Sequence, residues 1–432
     1  MDVSAGLWMS VLGVGCCRNR AAGRKLLIHM HIVFLDHNYS TENVGSGARC
    51  HGFASRLAAR GHQVSVITSD RCLTSVLPMG GELVHRFNAD GVAVSVIHVG
   101  LARPSSFLRR LRSHLVFAFV SLWQLLWMRR LDVVYAVSPP LTVVLPAIGA
   151  RWLRRVRFIL EVRELMPDVL IGIGSLRSRL LIRMLSWLER MAYRRASRIV
   201  TLAEGVAHHI GADLRLAEKI RTVPHSCDVA SLGGGDGTQI RADNGWTGKF
   251  VCLHAGPMVR ANGLEAIIRI ADVLREDEQF VFWLVGDGDH REPLERNIRD
   301  RGLTNVVIWG TPSDETMRDV LAAADLCLVT IGPYPILEQG PGDRLFDYLA
   351  AGKPVLLNYG GWQRELVERY GAGLGTDLGH YEQFYQRIGD FCDHVDRRQE
   401  MTQHAREFAQ NEYQFDRVFQ GFEKVLYEMV WV

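Results

Sequence analysis

Hydrophobic residues along the chain follow two patterns that alternate from one end to the other. Short runs rich in β-branched residues recur, namely HIVFL, VSVIT, VVYAV, RFILEV and RIVTL in the first half and FVCLHA, FVFWLVG, VVIWG, LCLVTI and PVLLN in the second. Longer segments between them have apolar positions every three or four residues. The first pattern predicts buried strands and the second predicts amphipathic helices. Their alternation predicts an α/β fold in which helices connect parallel strands.

This series of strands and helices stops once and starts again. The interruption is the Gly-rich and poorly periodic stretch VPHSCDVASLGGGDGTQIRADNG, so we place a linker near residues 224–245. Because 432 residues are too many for one hydrophobic core, we predict two doubly wound, Rossmann-like domains over residues 30–225 and 226–410. Residues 1–29 are expected to form a disordered leader. Residues 411–432 are expected to form a last helix, packed either on its own domain or back on the first one.

The two halves of the chain have opposite charge. Residues 1–225 contain 30 Lys and Arg against 14 Asp and Glu, whereas residues 226–432 contain 20 against 33. The basic half is therefore expected to face an anionic partner, either a membrane surface or a phosphorylated substrate. No nucleic-acid-binding motif accompanies these basic residues, so nucleic acid is not expected as a partner.

The segment most typical of a membrane-bound protein is FLRRLRSHLVFAFVSLWQLLWMRR, residues 107–130. Its uncharged run from Leu115 to Met128 would span about 21 Å as a helix, which is shorter than the hydrocarbon core of a bilayer, about 30 Å. Arginines at both ends and two tryptophans favour a helix that lies in the headgroup region of an anionic membrane. A buried crossover helix with solvated ends is the alternative.

Cysteine and histidine patterns indicate no metal centre. The eight cysteines are scattered, and several lie inside apolar runs, which is typical of buried free thiols. CxxC and HExxH motifs are both absent from the sequence. We therefore expect neither a metal ion nor a cofactor.

Glycines follow several predicted strands. Gly45 and Gly47 lie between the first strand and the next helix, and Gly256, Gly286 and Gly288 follow strands of the second half. Glycine allows the backbone to approach a ligand, and a helix start offers free N–H groups to an anion. The spacing does not match the dinucleotide fingerprint, so an NAD site is not expected.

The most informative stretch is EQGPGDRLFDYLAAGKPV, residues 338–355. It predicts a glycine-rich loop, a short helix and a strand. On the helix, Arg344, Asp347 and Tyr348 are spaced so that they share a face opposite the apolar positions. A polar face at a helix N-terminus predicts a site for a nucleoside-diphosphate sugar. The alternative is an ordinary Gly-Pro turn followed by a solvated helix face.

Each polar group of this stretch has an expected role in such a site. The N–H groups of Gly340 and Gly342, together with the positive helix end, would face the diphosphate. Arg344 would bind the diphosphate oxygens, and Asp347 would accept hydrogen bonds from the ribose hydroxyls. Glu338, on the loop, would reach toward the sugar.

Taken together, these motifs resemble the GT-B glycosyltransferases, in particular the retaining family 4 branch that elongates bacterial surface polysaccharides such as colanic acid. The resemblance covers about residues 30–430. It depends on VGSGAR, LAARGHQVSVIT, EVRELMPD, RASRIVTLAEGV, KIRTVPHSCD, LVGDGDHREPLE, VVIWG and VLAAADLCLVTI, and most specifically on residues 338–347 followed by LAAGKPVL.

The resemblance implies two Rossmann-like domains facing each other across a cleft, with acceptor on the first and nucleotide-sugar on the second. It implies a metal-independent, retaining transfer from a UDP-type donor to a polyprenyl-diphosphate-linked saccharide, in capsule, exopolysaccharide or O-antigen assembly at the cytoplasmic face of the plasma membrane. A UDP-sugar 2-epimerase of the same fold and a non-catalytic GT-B scaffold are the alternatives.

Departures from the family pattern at three positions affect the site residues. The second acidic residue of the donor loop is Asp347, where the family commonly has Glu. Pro257 and Asn262 occupy positions where many members have Arg and Lys. We therefore assign diphosphate neutralisation to Arg344, with Arg260 in reserve.

Two further motifs of the resemblance contribute candidate residues. EVRELMPD resembles a cleft-lining motif, which makes Glu161 and Arg163 candidates on the acceptor side and Glu164 a candidate near the reacting centre. A buried structural Arg–Glu network is the alternative. Trp309 in VVIWG is expected to help hold the nucleotide. The expected catalytic residues are thus Glu338, Arg344 and Glu164.

Overall fold

The computed structural model describes residues 29–41, 48–73, 82–100, 107–214, 216–227 and 229–429. Almost all of the expected leader, as well as Gly45 and Gly47, lies outside these described residues.

Parallel strands form two separate sheets within the described residues. The first sheet contains β1 (His31–Leu35), β2 (Gln63–Ser69), β3 (Val84–Ala89), β4 (Val92–Ile97), β5 (Val133–Ser138), β6 (Arg157–Val162), β7 (Arg198–Thr201) and β8 (Ile220–Thr222). Its strand order is β3-β4-β2-β1-β5-β6-β7-β8, and only the β3–β4 pair is antiparallel. The second sheet contains β9 (Phe250–Ala255), β10 (Phe280–Val285), β11 (Val306–Trp309), β12 (Leu326–Val329), β13 (Val355–Leu357) and β14 (Gly373–Gly375). Its order is β11-β10-β9-β12-β13-β14, all parallel.

Helices cover both faces of each sheet. Those of the first half are α1 (Ala48–Ala59), α2 (Phe107–Trp127), α3 (Val144–Arg154), α4 (Asp168–Gly172), α5 (Arg179–Arg195) and α6 (Glu204–Leu214). Those of the second half are α7 (Val229–Leu232), α8 (Thr238–Asp243), α9 (Glu265–Val273), α10 (Arg291–Arg301), α11 (Asp314–Ala323), α12 (Asp343–Ala350), α13 (Trp362–Arg369), α14 (Tyr381–Asp393), α15 (Val395–Phe408) and α16 (Phe415–Glu428). Shorter 3₁₀ turns lie at residues 141–143, 217–219, 260–262 and 335–339, and a π-turn at 409–413. The α/β class and the two-sheet, Rossmann-like organisation are confirmed.

All ten runs expected to be strands form strands, but four strands were not predicted. The hairpin of β3 and β4 has a sequence signal that could have identified it, because Asp90-Gly91 forms its turn and both residues have positive φ, 51° and 80°. The other two, β8 and β14, have three residues each, which is too short for a clear alternation of polar and apolar positions.

The last helix, α16, packs against the first sheet. Its apolar side, including Phe419 and Phe422, joins the cluster formed by strands β1, β2 and β5. Phe422 stacks on Phe53 of α1 with ring centroids 4.3 Å apart. At the C-terminal end of α16, Glu428 accepts a hydrogen bond from Arg198 Nε at 2.8 Å. The chain therefore returns to its first domain after completing the second.

Candidate active site

The predicted donor loop folds as a 3₁₀ turn followed by helix α12. Gly342 caps the helix in the left-handed conformation, with φ 72°, and a Cβ atom there would lie 2.5 Å from Gln363 Oε1. Only glycine satisfies both demands. Gln363 and Trp362 donate to the carbonyl oxygen of Gly340, which fixes the loop above α13.

One expected donor to the diphosphate is already used. The N–H of Gly340 donates to the carbonyl of Leu337 at 2.9 Å, closing the 3₁₀ turn. The expectation that it points toward a ligand is therefore not met in this structure. The 3₁₀ turn uses the amide hydrogen of Gly340 that a diphosphate would need. The sequence alone did not predict this turn.

Arg344 lies over the end of the first strand of the second sheet. A Cβ atom at Gly256 would lie 3.2 Å from Arg344 Nε, so the missing side chain at Gly256 leaves room for the guanidinium. Arg344 Nη1 donates to Asp347 Oδ2 at 3.3 Å. Both side chains are about one-third exposed. Three predicted residues from two separate motifs thus meet at the N-terminus of α12.

Asp347 is in an environment that disfavours its charge. Burial raises the pKa of its carboxyl above the ordinary value, and the charge of Asp343 adds to that effect, while Arg344 and His225 oppose it. The net pKa is raised. The ion pair with Arg344 is therefore needed to keep a carboxylate at this place.

His254 lies beneath this pair and was not identified from the sequence. It is 3% exposed, and its Nδ1 is 3.2 Å from the carbonyl of Leu328. A carbonyl can only accept, so Nδ1 has the hydrogen and Nε2 is an acceptor on the side of Arg344. Burial lowers the pKa of His254 to about 4, with Arg344 contributing. The imidazole is neutral near pH 7.

Tyr348 does not share the polar helix face predicted for it. It is 1% exposed, and its hydroxyl lies 2.8 Å from the backbone N of Ala255. It also donates to the Ala255 carbonyl at 3.1 Å. A phenol that finds backbone partners is stable in a core, so Tyr348 fastens α12 to the end of β9.

The glycines of LVGDGD are close to another loop of the protein. A Cβ atom at Gly286 would lie 2.0 Å from the carbonyl oxygen of Gly256, and one at Gly288 would lie 2.2 Å from that of Met258. Backbone hydrogen bonds between the two loops keep them together. Close packing of the two loops is therefore sufficient to require glycine at positions 286 and 288. A contact of either glycine with the nucleotide stays a prediction.

The remaining predicted donor residues surround this pair of loops. Asn262 Nδ2 donates to the carbonyl of Pro257 at 2.6 Å, which closes the loop after β9. Arg260, in the same loop, is exposed. Trp309 is the last residue of β11 and is half-buried. Its ring makes an edge-to-face contact with Trp283, with ring centroids 4.7 Å apart. Asn262 thus has a structural role, whereas Arg260 is accessible to a ligand.

Glu338 lies in the 3₁₀ turn after β12. It is half-buried, and burial together with the charge of Asp377 raises the pKa of its carboxyl. Gly361, at the start of α13, has a φ of 79°, which favours glycine, and a Cβ atom there would be in ordinary contact with the Cβ of Glu338 at 3.5 Å.

Glu161 and Arg163 belong to a buried network of the first domain. Glu161 is fully buried and accepts from Arg163 Nε at 2.7 Å, from Tyr135 at 2.5 Å and from Arg49 at 3.3 Å. Burial alone would raise the pKa of Glu161, but Arg49 and Arg163 outweigh it and lower the pKa to about 2. Arg163 also lies 3.8 Å from Asp36. The structure matches the alternative of a structural Arg–Glu network.

Glu164, the next acidic residue, is close enough to the second domain for a charge there to affect it. Burial raises the pKa of its carboxyl, and the next largest cause is the charge of Asp343, on the opposite domain. Asp343 Oδ1 lies 3.6 Å from Nδ1 of His225 in the linker. Sequence spacing gave no signal for His225 or Asp343, because the two domains meet only in the folded chain.

The donor loop also contacts the first domain directly. A Cβ atom at Gly172 in α4 would lie 2.5 Å from Ile336, and one at Gly205 in α6 would lie 2.5 Å from Gln339 Oε1. The turn that contains Glu338 is therefore held between the two domains. Within the described residues, no group of three or more metal-ligating side chains is present.

Comparisons with known proteins agree with this architecture. Residues 44–225 match the glycosyl transferase 4-like domain, and residues 236–408 match the glycosyl transferases group 1 domain. The putative colanic acid biosynthesis glycosyl transferase WcaI of Escherichia coli K12 is 26% identical over 346 residues, covering 75% of this chain and 82% of WcaI. The lipopolysaccharide core biosynthesis glycosyltransferase LpsE of Rhizobium meliloti is 24% identical, covering 52% of this chain and 66% of LpsE.

Solved structures show the same fold. Anabaena HepE in complex with UDP superposes with a TM-score of 0.68 at 18% identity, covering 92% of this chain and all of HepE. WaaG, a glycosyltransferase involved in lipopolysaccharide biosynthesis, superposes with a TM-score of 0.67 at 16% identity, covering 91% of this chain and 99% of WaaG. The chain therefore belongs to the GT-B glycosyltransferases, with a glycosyl transferase 4-like first domain and a group 1 second domain.

Proposed function

We propose that this glycosyltransferase moves a sugar from a UDP donor to a lipid-linked saccharide during bacterial surface polysaccharide assembly, with retention of the anomeric configuration. The observation that supports the donor site best is the position of Arg344 over Gly256 at the N-terminus of α12. HepE, which shares the fold, was solved with UDP and with UDP-glucose. WcaI and LpsE are named for colanic acid and lipopolysaccharide core biosynthesis, which supports the acceptor class.

In this proposal the diphosphate lies against the start of α12. The positive end of the helix and the Arg344 guanidinium stabilise the charge that develops as the bond between the sugar and the diphosphate breaks. Neutral His254 leaves its Nε2 without a hydrogen-bond partner on the side of Arg344 and adds no positive charge to compete for Asp347. Asp347 binds the ribose hydroxyls, and Glu338 orients the sugar.

The acceptor enters from the first domain, with Glu164 facing the reacting centre. The acceptor oxygen bonds to the anomeric carbon on the face that the diphosphate leaves, and the departing UDP takes the acceptor proton. No metal ion takes part in this scheme. The enzyme acts at the cytoplasmic face of the plasma membrane, which it contacts through the basic and apolar segment of residues 107–130.

The test is incubation with UDP-sugars in the presence and absence of a polyprenyl-diphosphate-linked saccharide. We expect UDP release only when the acceptor is present. Interconversion of UDP-sugars without acceptor would support the epimerase instead, and neither reaction would support the scaffold. An NMR assignment of the new linkage decides between retention and inversion.

A further inference from the structure

A stripe of large apolar side chains is exposed on α2 between Leu111 and Trp127. It consists of Leu111, Leu115, Phe119, Trp123 and Trp127. Residues four apart are neighbours on a helix surface but are displaced by about 40° around the axis, so the five form a continuous ridge that winds around the helix over about 24 Å of its length. Phe119 is 69% exposed and Trp127 is 71% exposed, while Phe117 and Leu125 on the opposite side are fully buried. The helix thus packs one apolar face into the core and exposes other apolar side chains to solvent.

Two neighbouring helices add similar side chains. At the end of α3, Trp152 is 80% exposed, followed by Leu153. On α5, Leu180, Met184 and Trp187 are exposed at intervals of four and three residues, which is one helix face.

The three helices are adjacent. Arg154 of α3 donates to the carbonyls of Leu125 and Met128 at the end of α2, and a Cβ atom at Gly149 would lie 2.8 Å from Leu122. Helix α3 also contacts α5. Exposed apolar residues on three adjacent helices indicate an interaction surface, because single exposed apolar residues would be scattered. We call the outward side of α2, α3 and α5 the tryptophan face.

Charge identifies the partner class. Helices α2 and α3 contain no Asp or Glu, and the one acidic residue of α5, Glu189, accepts from Tyr193 at 2.8 Å. Exposed arginines accompany the apolar residues, including Arg112, Arg129 and Arg183. A second copy of this basic surface would be repelled, whereas a layer of anionic headgroups over hydrocarbon matches both the charge and the tryptophans.

Helix α4, which lies at the cleft, directly precedes α5 of the tryptophan face along the chain. Ile171 of α4 is 37% exposed, and α4 packs against the turn that contains Glu338. Leu180 begins the exposed side of α5 only nine residues after Ile171. An acceptor with its lipid chain in a bilayer would therefore find the cleft beside the surface in which it is anchored. Among the described residues, no helix is both long and apolar enough to cross a membrane.

We propose that the tryptophan face of α2, α3 and α5 docks on an anionic phospholipid bilayer and so brings the cleft to membrane-embedded acceptors. This docking surface includes three helices, whereas the proposed function assigned the membrane contact to residues 107–130 alone. The delivery of acceptor depends on the proposed function, whereas the docking itself does not.

Flotation with vesicles tests the docking without any substrate. Vesicles of phosphatidylcholine with about one-third phosphatidylglycerol should bind the protein, and phosphatidylcholine alone should bind it several-fold more weakly. Trp123→Ser in α2 and a double variant, Trp152→Ser with Trp187→Ser, should each weaken binding to the anionic vesicles at least several-fold. Val273→Ser and Val395→Ser, at exposed apolar positions of the second domain, are the matched controls and should bind normally.

Loss of binding in the α2 variant alone would overturn the three-helix face. A change of oligomeric state in the variants, measured by light scattering with unchanged vesicle binding, would assign the surface to protein association instead. With a vesicle-embedded acceptor, the double variant should lose transfer but keep it toward a short-chain, water-soluble acceptor. Vesicle binding without any transfer would contradict the proposed function and leave the docking intact.

Discussion

Arg344 occupies the space that a side chain at Gly256 would fill. The Nε of its guanidinium lies 3.2 Å from the position of a Cβ atom there, and His254 Nε2 lies 3.4 Å from the same point. The two residues are 88 positions apart in the chain, in different loops. Their proximity brings two weak motifs, a glycine after a strand and an arginine at a helix start, together as one candidate anion site.

Removal of the guanidinium should abolish transfer with little effect on folding. Arg344 is about one-third exposed, so Arg344→Ala should change stability only slightly, whereas loss of charge stabilisation in the transition state should lower kcat by about 100-fold or more. The measurement is acceptor-dependent UDP release. Arg296→Ala, at an exposed arginine of α10, is the control. Turnover close to that of the unmodified enzyme in the Arg344 variant would refute the assignment.

A side chain at Gly256 should act through Arg344. Gly256→Val would press on the guanidinium and on His254, so we expect weaker UDP binding and a rate lower by about 10 to 100-fold. Thermal shift with UDP measures the binding. Gly389→Ala, where a Cβ atom meets nothing within 4 Å, should bind UDP normally. Unchanged UDP affinity in Gly256→Val would place the diphosphate elsewhere.

Glu161 should contribute to stability in a pH-dependent way. Its pKa falls from the ordinary 4.5 to about 2 in the folded chain, so the stabilisation is complete above pH 4.5 and is lost as the pH falls toward 2. Glu161→Gln leaves Arg49 and Arg163 without their buried partner, which should destabilise the protein by about 3 to 5 kcal/mol at pH 7. Urea unfolding of both proteins between pH 7 and pH 3 is the measurement.

The difference between the two proteins should be constant at neutral pH and shrink below about pH 4.5, because the unfolded form of the unmodified chain then binds a proton at Glu161 that the folded form, with its pKa of about 2, does not bind. A difference independent of pH down to pH 3 would contradict a charged Glu161. Near-normal transfer by the folded fraction of Glu161→Gln is expected, since the residue is sealed from the cleft.

The last helix should stabilise the first domain. Phe422 is fully buried and stacks on Phe53, so Phe422→Ala should lower the free energy of unfolding by about 3 to 5 kcal/mol. Calorimetry should show the loss in the transition of the first domain. Lys424→Ala, at an exposed position of the same helix, should have little effect. A loss confined to the second domain would show that α16 stabilises the domain that precedes it.

The sequence predicted the strands and the family well because each depends on local pattern. Runs such as FVFWLVG are buried on both faces of a parallel sheet, and a continuous apolar run is the expected result. The donor loop was predicted from Gly342 and Arg344, which are two residues apart. Tyr348 was placed on the wrong face, because a helix of eight residues buries more than one stripe when strands and helices surround it.

The sequence by itself determined two α/β domains with mainly parallel sheets and a glycine-rich loop at the start of a helix, because periodicity, glycine conformation and helix ends are local properties. Only the tertiary structure decided which distant groups share the site: Gly256 and His254 beneath Arg344, and Asp343 opposite Glu164. It also sealed Glu161 and Arg163 in a core and turned the apolar stripe of α2 outward. Contacts of this kind form between residues that are far apart in the sequence. The spacing of residues within one segment therefore cannot predict them.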